Sequence, residues 1–283
     1  VAEQGRSFGD RVRGRGKDGD DDAALRAELE AARAELATTT RRLRETKKQF
    51  DLARLERDQR QAPDEVEAQI AAVRAENLTF LRPPQLRDLA LAMIDIERNG
   101  TPGIVIEAGT ALGGSAIVLA TAKSPERPMR VYDVFGLIPE PSERDGEDVH
   151  ERYAEIKAGK ATGHAEGEAY YGYRDDLLGE VTRSFERRGV APAERSVQLV
   201  QGLFQDTVHV DEPVALANLD GDWYESTKVC LERIAPHVVS GGRIVLDDYD
   251  GWSGCRAAVD EYFADKMDDW RFDRRHRLHF VRR

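Results

Sequence analysis

The chain is poor in cysteine: Cys230 and Cys255 are the only two in 283 residues. That is too few for a disulfide framework or a cysteine-built zinc cluster, so both are read as small packed thiols. No run of about 18 apolar residues occurs, which excludes a predicted membrane span. The segment VAEQGRSFGDRVRGRGKDGDDD lacks the apolar core of a secretory signal, and a cytoplasmic protein is expected. A basic excess is also missing: 53 acidic residues face 42 basic ones, for a net charge of -11. Proteins that work by neutralising phosphates show the opposite balance, so nucleic acid is not an expected partner. The one basic stretch, R-R-H-R-L-H-F-V-R-R with His276 and His279, is outweighed by that acidity. Aromatic residues make up only 7%. The first Tyr is Tyr132 and the first Trp is Trp223, which places the aromatic core in the second half.

Glycine and proline are absent from residues 23–61. What remains is Ala, Leu, Glu and Arg, all good helix formers. Leu25, Leu29, Ala32, Leu36, Thr39, Leu43, Thr46, Phe50 and Ala53 recur at spacings of four and three. This is a heptad seam with one strong and one weak row, and a self-associating coiled coil is expected over 23–61. Residues 1–22, nearly devoid of apolar side chains, are expected to be disordered. Residues 62–100 read as a helical linker and cap, and 101–283 as the catalytic domain.

In that domain apolar strands alternate with helices, which predicts an α/β fold with a parallel sheet. Strands are expected at 104–106, 131–135, 197–200, 214–219 and 243–246, with a closing hairpin near 271–281. The polar, Tyr-bearing segment 139–180 breaks the rhythm. An insert of that length is usually functional, and a lid is expected.

Two constellations carry chemistry. The turn Glu107-Ala-Gly109-Thr-Ala-Leu-Gly113-Gly114-Ser115 follows the first strand, where glycines allow close backbone approach to a ligand. Its spacing is not that of a dinucleotide fingerprint. Asp133, at the end of the second strand, suits a ribose diol. The stronger signal is that the fourth strand runs into Asp220-Gly221-Asp222 and the fifth into Asp247-Asp248. Carboxylates beside a core need compensation. If these strands are neighbours, Asp220, Asp247 and Asp248 converge, and an all-oxygen ligand set favours Mg²⁺ or another hard divalent cation. Asp222 is read as a helix cap or as a supporting group beside that set.

The motifs G-x-x-x-E-A-G-x-x-x-G-G-S at 103–115, V-Y-D-V-F-G at 131–136, Q-G-L-F-Q-D-T-V at 201–208, L-D-G-D-W-Y-E-S-T at 219–227 and G-G-R-I-V-L-D-D-Y at 241–249 occur together. Residues 79–281 resemble the macrocin O-methyltransferase (TylF-type) family. The resemblance implies a Rossmann-like class I methyltransferase sheet, order 3-2-1-4-5-7-6, that uses S-adenosylmethionine and a divalent cation. It implies that Glu107, Gly109, Gly113, Gly114 and Ser115 hold the methionine end of the cofactor, and that Asp133 holds the ribose. It also implies that Asp220, Asp247 and Asp248 bind Mg²⁺. The coiled coil stands outside the family core. Gly202 and Phe204 fall where the adenine would lie. Transfer to a sugar hydroxyl of a natural product or polysaccharide follows, with Asp220 or Asp222 taking the proton. His164 and the lid tyrosines are further candidates whose simpler role is to line the lid. The rivals are a metal-dependent enzyme with a phenolic or catechol acceptor and a non-catalytic scaffold. A homo-oligomer is expected.

Overall fold

The structure, a computed structural model, describes residues 17–58, 60–163 and 167–283. His164 and residues 1–16 lie outside the described residues. The chain divides into two units, 1–60 and 61–283. The first is described by one long helix, α1 (Lys17–Asp58). It begins at Lys17 rather than at residue 23, so the last part of the segment expected to be disordered is helical. Leu25, Leu29, Leu36 and Leu43 on it are exposed.

The second unit opens with α2 (Asp64–Ala75) and α3 (Pro83–Arg98). Pro83 and Pro84 occupy the first turn of α3, where missing N–H groups cost nothing. Gln85 Oε1 accepts the Arg82 N–H at 2.8 Å and closes that end. Then follow β1 (Ile104–Ala108), α4 (Gly114–Ala122), β2 (Met129–Asp133), α5 (Glu147–Lys157), α6 (Leu177–Arg187), β3 (Val197–Gln201), α7 (Phe204–Thr207), β4 (Val214–Leu219), α8 (Tyr224–Ile234), β5 (Val238–Leu246), α9 (Ser253–Phe263), β6 (Trp270–Arg274) and β7 (Leu278–Arg282).

The seven strands form one sheet in the order β3-β2-β1-β4-β5-β7-β6, as the resemblance implied. β1 to β5 are parallel, and β7 runs antiparallel to both β5 and β6. Both faces are covered. Val105, Val131 and Val245 pack with α2, α3, α4 and α6 on one side. Ile106, Ala217 and Leu246 pack with α8 and α9 on the other. All residues of β1 and β4 are therefore buried, which is why they read as continuous apolar runs. Chain order reverses between β1 and β4, the place where such sheets open a crevice at the carboxyl ends of their strands.

The insert 139–180 is more structured than a lid alone. It contains α5 and a 3₁₀ turn at Tyr171–Tyr173. Its first part is pinned down: the Trp223 indole N–H donates to the Pro139 carbonyl at 2.9 Å. Asp145 Oδ1 accepts the Tyr224 N–H at 2.8 Å, and Asp148 Oδ2 accepts the Ser253 N–H at 3.0 Å. These bonds tie it to the leading ends of α8 and α9.

The basic stretch at 274–283 also reads differently in three dimensions. His279 is fully buried in β7, its Nε2 3.3 Å from Asp88 Oδ2, and Arg275 donates to the other oxygen of Asp88. Burial pushes the His279 imidazole below its ordinary range. Cys230 and Cys255 are both buried thiols, as expected. Among the described residues no helix is long and apolar enough to cross a membrane.

Candidate active site

A cleft opens at the carboxyl ends of the central strands. Gly109 and Ala111 after β1, Asp133 at the end of β2, Gly202 and Phe204 after β3, and Asp220 to Asp222 after β4 line it. Ile138, just before the insert, and Pro139 and Tyr171 within it line it as well. Six expected residues therefore share one cavity: Gly109, Asp133, Gly202, Phe204, Asp220 and Asp222.

The β1 turn is built by close approach. A side-chain carbon on Gly109 would lie 1.9 Å from the Asp220 carbonyl oxygen, and Gly109 has φ +88°. Asp220 N–H donates to the Ala108 carbonyl at 2.8 Å, so the β1 and β4 ends touch. Asp133 fixes the same turn. Its Oδ2 accepts from the N–H groups of Thr110 (2.7 Å) and Ala111 (3.0 Å), and its Oδ1 from Phe135 N–H (2.7 Å). A carboxylate has about four acceptor sites, so three are used in holding the loop before any ribose arrives. Burial raises its pKa against the lowering by those donors.

Four residues expected at the cofactor are placed elsewhere. Glu107 is wholly buried beneath the turn. It accepts from Asn218 Nδ2 at 3.0 Å and from the Thr110 hydroxyl at 3.4 Å. Burial raises it to about 8, so it is a neutral carboxyl that supports the loop from below. Gly114 packs on the 78–79 backbone, where a side chain would meet the Leu78 carbonyl at 2.5 Å. Gly113 faces Val181 and Phe185 of α6. Ser115 is buried in α4. None of the four lines the cleft.

The acidic group is also regrouped. Oxygens of Asp220, Asp222 and Asp248 all lie within 4.8 Å of one another. Asp247, expected in that set, turns to Arg277 instead. Arg277 Nε lies against its Oδ1, Nη2 donates to Oδ2 at 2.9 Å, and Nη1 donates to its main-chain carbonyl at 2.9 Å. The physical reason is register: Leu246 pairs with Leu278, which sets Asp247 beside Arg277. Burial first, then repulsion from Asp248, Asp247 and Asp222, raises Asp220 well above the usual carboxylate range. Asp222 is raised for the same reasons. Burial and Asp248 lift Asp247 to about 7 against the pull of Arg277. Carboxylates so crowded, with oxygen donors only, fit a hard divalent cation.

Asp222 does not cap α8. It has φ +53°, uncommon for a residue with a side chain. Its Oδ1 accepts the Trp252 indole N–H at 2.9 Å, and its own N–H donates to Asp248 Oδ2 at 3.3 Å. Ala111 (φ +49°) and Phe135 (φ +46°) are likewise left-handed, so backbone strain gathers at this end of the sheet, as at functional sites generally. Sequence reasoning missed Trp252 and Arg277. Of the expected lid tyrosines Tyr153, Tyr170, Tyr171 and Tyr173, Tyr171 lines the cleft; burial raises its pKa well above its ordinary value, followed by Tyr170, Asp222 and Asp133. That phenol keeps its proton at neutral pH and is a donor, not a base.

The sequence pattern of the Macrocin-O-methyltransferase (TylF) family matches residues 27–269. The match begins inside α1, well before the motif-bearing span 79–281. Demethyldecarbamoylnovobiocin O-methyltransferase of Streptomyces niveus is 30% identical over 193 residues, covering 66% of this chain and 68% of that one. An 8-demethyl-8-(2,3-dimethoxy-alpha-L-rhamnosyl)-tetracenomycin-C 4'-O-methyltransferase of Streptomyces olivaceus is 30% identical over 190 residues, covering 65% and 67%. Among solved structures, the O-methyltransferase NovP superposes with a TM-score of 0.57 at 26% identity, covering 70% of this chain and 78% of that one. The calicheamicin methyltransferase CalS11 shares the fold, with a TM-score of 0.53 at 20% identity over 79% and 94%.

Proposed function

Because the chain belongs to the macrocin O-methyltransferase (TylF) family and is an S-adenosylmethionine-dependent O-methyltransferase, we propose that its acceptor is a sugar hydroxyl on a glycosylated natural product, activated beside a bound Mg²⁺. The convergence of Asp220, Asp222 and Asp248 carries this reading. A rhamnosyl acceptor in the name of one relative supports the sugar.

Gly109, Ala111 and Asp133 form the wall for the cofactor's methionine and ribose end, and Gly202 to Gln205 the wall for its adenine. The bound cofactor supplies a methyl group on a sulfonium. Asp220 and Asp248 would hold the ion, which would supply a positive charge that favours loss of the acceptor hydroxyl's proton. Mg²⁺ commonly takes one or two carboxylates and leaves its other positions to substrate and water. Asp222, aimed by Trp252, takes the hydroxyl proton. Ile138, Pro139 and Tyr171 exclude water and align the acceptor, and such positioning supplies much of the rate.

The long helix has a separate role in this proposal: pairing with a second copy. Leu29, Leu36 and Leu43 repeat every seven residues and are exposed with Leu25. In a parallel pair Glu28 faces Arg33 of the partner subunit, and Arg42 against Lys47 of the partner subunit offsets part of that gain. An antiparallel pair sets the flank of Arg26, Arg33 and Lys47 against itself, which is unfavourable.

The test is methyl transfer from S-adenosylmethionine to a panel of glycosides and phenols, with and without EDTA. Mg²⁺-dependent product on a sugar hydroxyl is expected, lost by about a hundredfold or more in Asp220→Asn and Asp248→Asn. Turnover of phenols alone would replace the sugar acceptor. Full activity in EDTA would remove the ion.

A further inference from the structure

We propose that the free edge of β6 pairs with the same edge of a second copy of this chain, continuing the sheet across a two-fold axis at Phe272. β6 (Trp270–Arg274) ends the sheet order, with β7 on its inner side only. Ladder parity fixes what its outer side presents. Arg283 N–H donates to the Asp269 carbonyl at 2.9 Å, and Arg275 N–H to the Arg277 carbonyl at 2.8 Å. Both pairs continue the β6–β7 register, and bonded pairs recur at every second residue of an antiparallel ladder. Arg271 and Asp273 therefore turn their main-chain groups to β7. Trp270, Phe272 and Arg274 turn theirs outward, and such a row is a template for another strand.

The side chains select both the partner and the register. In an antiparallel pair centred on Phe272, Arg271 lies opposite Asp273 of the partner subunit, and Asp273 lies opposite the partner's Arg271. Opposite charges so placed attract, and like charges repel. Arg271 is exposed, and Asp273 is held in place by Arg275 Nε at 2.8 Å. A slip of two residues one way sets Arg271 against the partner's Arg271. A slip the other way sets Asp273 against the partner's Asp273. Of these three registers the centred one joins opposite charges twice, and it closes about six main-chain hydrogen bonds.

The α9 side of the same edge is apolar. Phe272 is 57% exposed there, whereas Trp270 and Phe280 beside it are buried. With Val259, Phe263, Met267 and Phe280 it lines an open groove. Across the axis the partner's Phe272 adds a second ring and covers apolar surface that water now meets. Five residues a side make a small contact beside a standard interface. The pairing is therefore weak and reversible, distinct from the pairing of α1, and a covalent trap reads it better than mass does.

The experiment uses the full chain as Phe272→Cys and, separately, as Arg274→Cys, at high protein concentration with a mild thiol oxidant. Cys230 and Cys255 are buried and stay out of the reaction. Both new thiols sit on the same free edge. In the centred register the two copies of position 272 lie about 5.5 Å apart, within disulfide range. Those of position 274 are offset by about 14 Å along the strand. Phe272→Cys is expected to form a linked pair at least about tenfold faster than Arg274→Cys. Adding Arg271→Glu to Phe272→Cys sets acid against acid and is expected to slow linkage about fivefold or more. Equal linkage at the two positions, or none at 272, would overturn the proposal and leave Arg271 and Arg274 as charges that keep the edge unpaired. Linkage indifferent to Arg271→Glu would overturn it too. Should Phe272→Cys misfold, the wild type decides by amide exchange. Exchange at Phe272 and Arg274 is expected to slow as protein concentration rises, and exchange that ignores concentration would sink the pairing.

Discussion

Trp252 donates its indole N–H to Asp222 Oδ1 at 2.9 Å, so the carboxylate beside β4 is aimed from the leading end of α9. The indole also meets the Trp223 ring edge-on, with centroids 5.7 Å apart. The donor is thus locked by packing before it acts. Trp252→Phe keeps the ring and removes the donor. A hydrogen bond to a charged group contributes about 1.5–3 kcal/mol, so kcat is expected to fall roughly ten- to a hundredfold. Cofactor affinity should stay unchanged. A variant with wild-type kcat would remove Asp222 from proton transfer.

Glu107 gives a pH signature. Its folded pKa is raised to about 8 by burial, above the ordinary glutamate range of an unfolded chain. Below that ordinary range both states are protonated and nothing is lost. As pH climbs toward 8 the unfolded chain releases a proton that the folded one keeps, so stability falls across that window and levels off above it. Glu107→Gln keeps an acceptor for Asn218 and reverses the Thr110 contact, the amide donating to the hydroxyl, without the titration. The variant should gain on wild type as pH rises from about 4.5 to 8, by up to a few kcal/mol. Chemical denaturation at several pH values reads this directly. A constant difference across the range would contradict it.

Two glycines with the same backbone angle should respond differently. Gly109 and Gly113 both have φ +88°. A methyl on Gly109 strikes the Asp220 main-chain carbonyl at 1.9 Å, whereas one on Gly113 meets the Val181 side chain at 2.9 Å. Gly109→Ala should cost about 2–5 kcal/mol and abolish cofactor binding. Gly113→Ala should cost about 1–2 kcal/mol and leave binding measurable. Melting curves and cofactor titrations on both variants decide it, and equal losses would mean that the β1 and β4 ends have more slack than the geometry allows.

For the long helix the expected outcome concerns mass, not chemistry. Leu36→Glu puts a charge in the middle of the exposed leucine row. Sedimentation should then report one chain where the unaltered protein reports two, with methyl transfer per chain retained. Identical masses for the two proteins would retire the pairing role.

Much of the fold was legible because each strand is covered on both faces. Ile104-Val105-Ile106 and Val214 to Leu219 are apolar throughout, and both proved central. The acidic strand ends were legible for a related reason: Asp220, Asp247 and Asp248 follow apolar runs that could not tolerate them without compensation. What the compensation was could not be read. Arg277 belongs to a basic stretch whose direction depends on strand pairing, and nothing local says that it faces Asp247. Trp252 is likewise remote from Asp222 in sequence. That Glu107 lies beneath the loop was not legible either, because a carboxylate next to a glycine turn looks the same in sequence whichever way it points.

The bonds that fasten the insert have an evolutionary corollary. Pro139 and Asp145 are received by Trp223 and Tyr224, the residues that immediately follow Asp222. An insert anchored there is no interchangeable cassette. Grafting a relative's insert to retarget the enzyme would pull on the stretch of chain that carries the acidic centre. New acceptor preferences should therefore be reached by point changes beyond Asp148, on the tyrosine-bearing half, while the anchored half stays as it is.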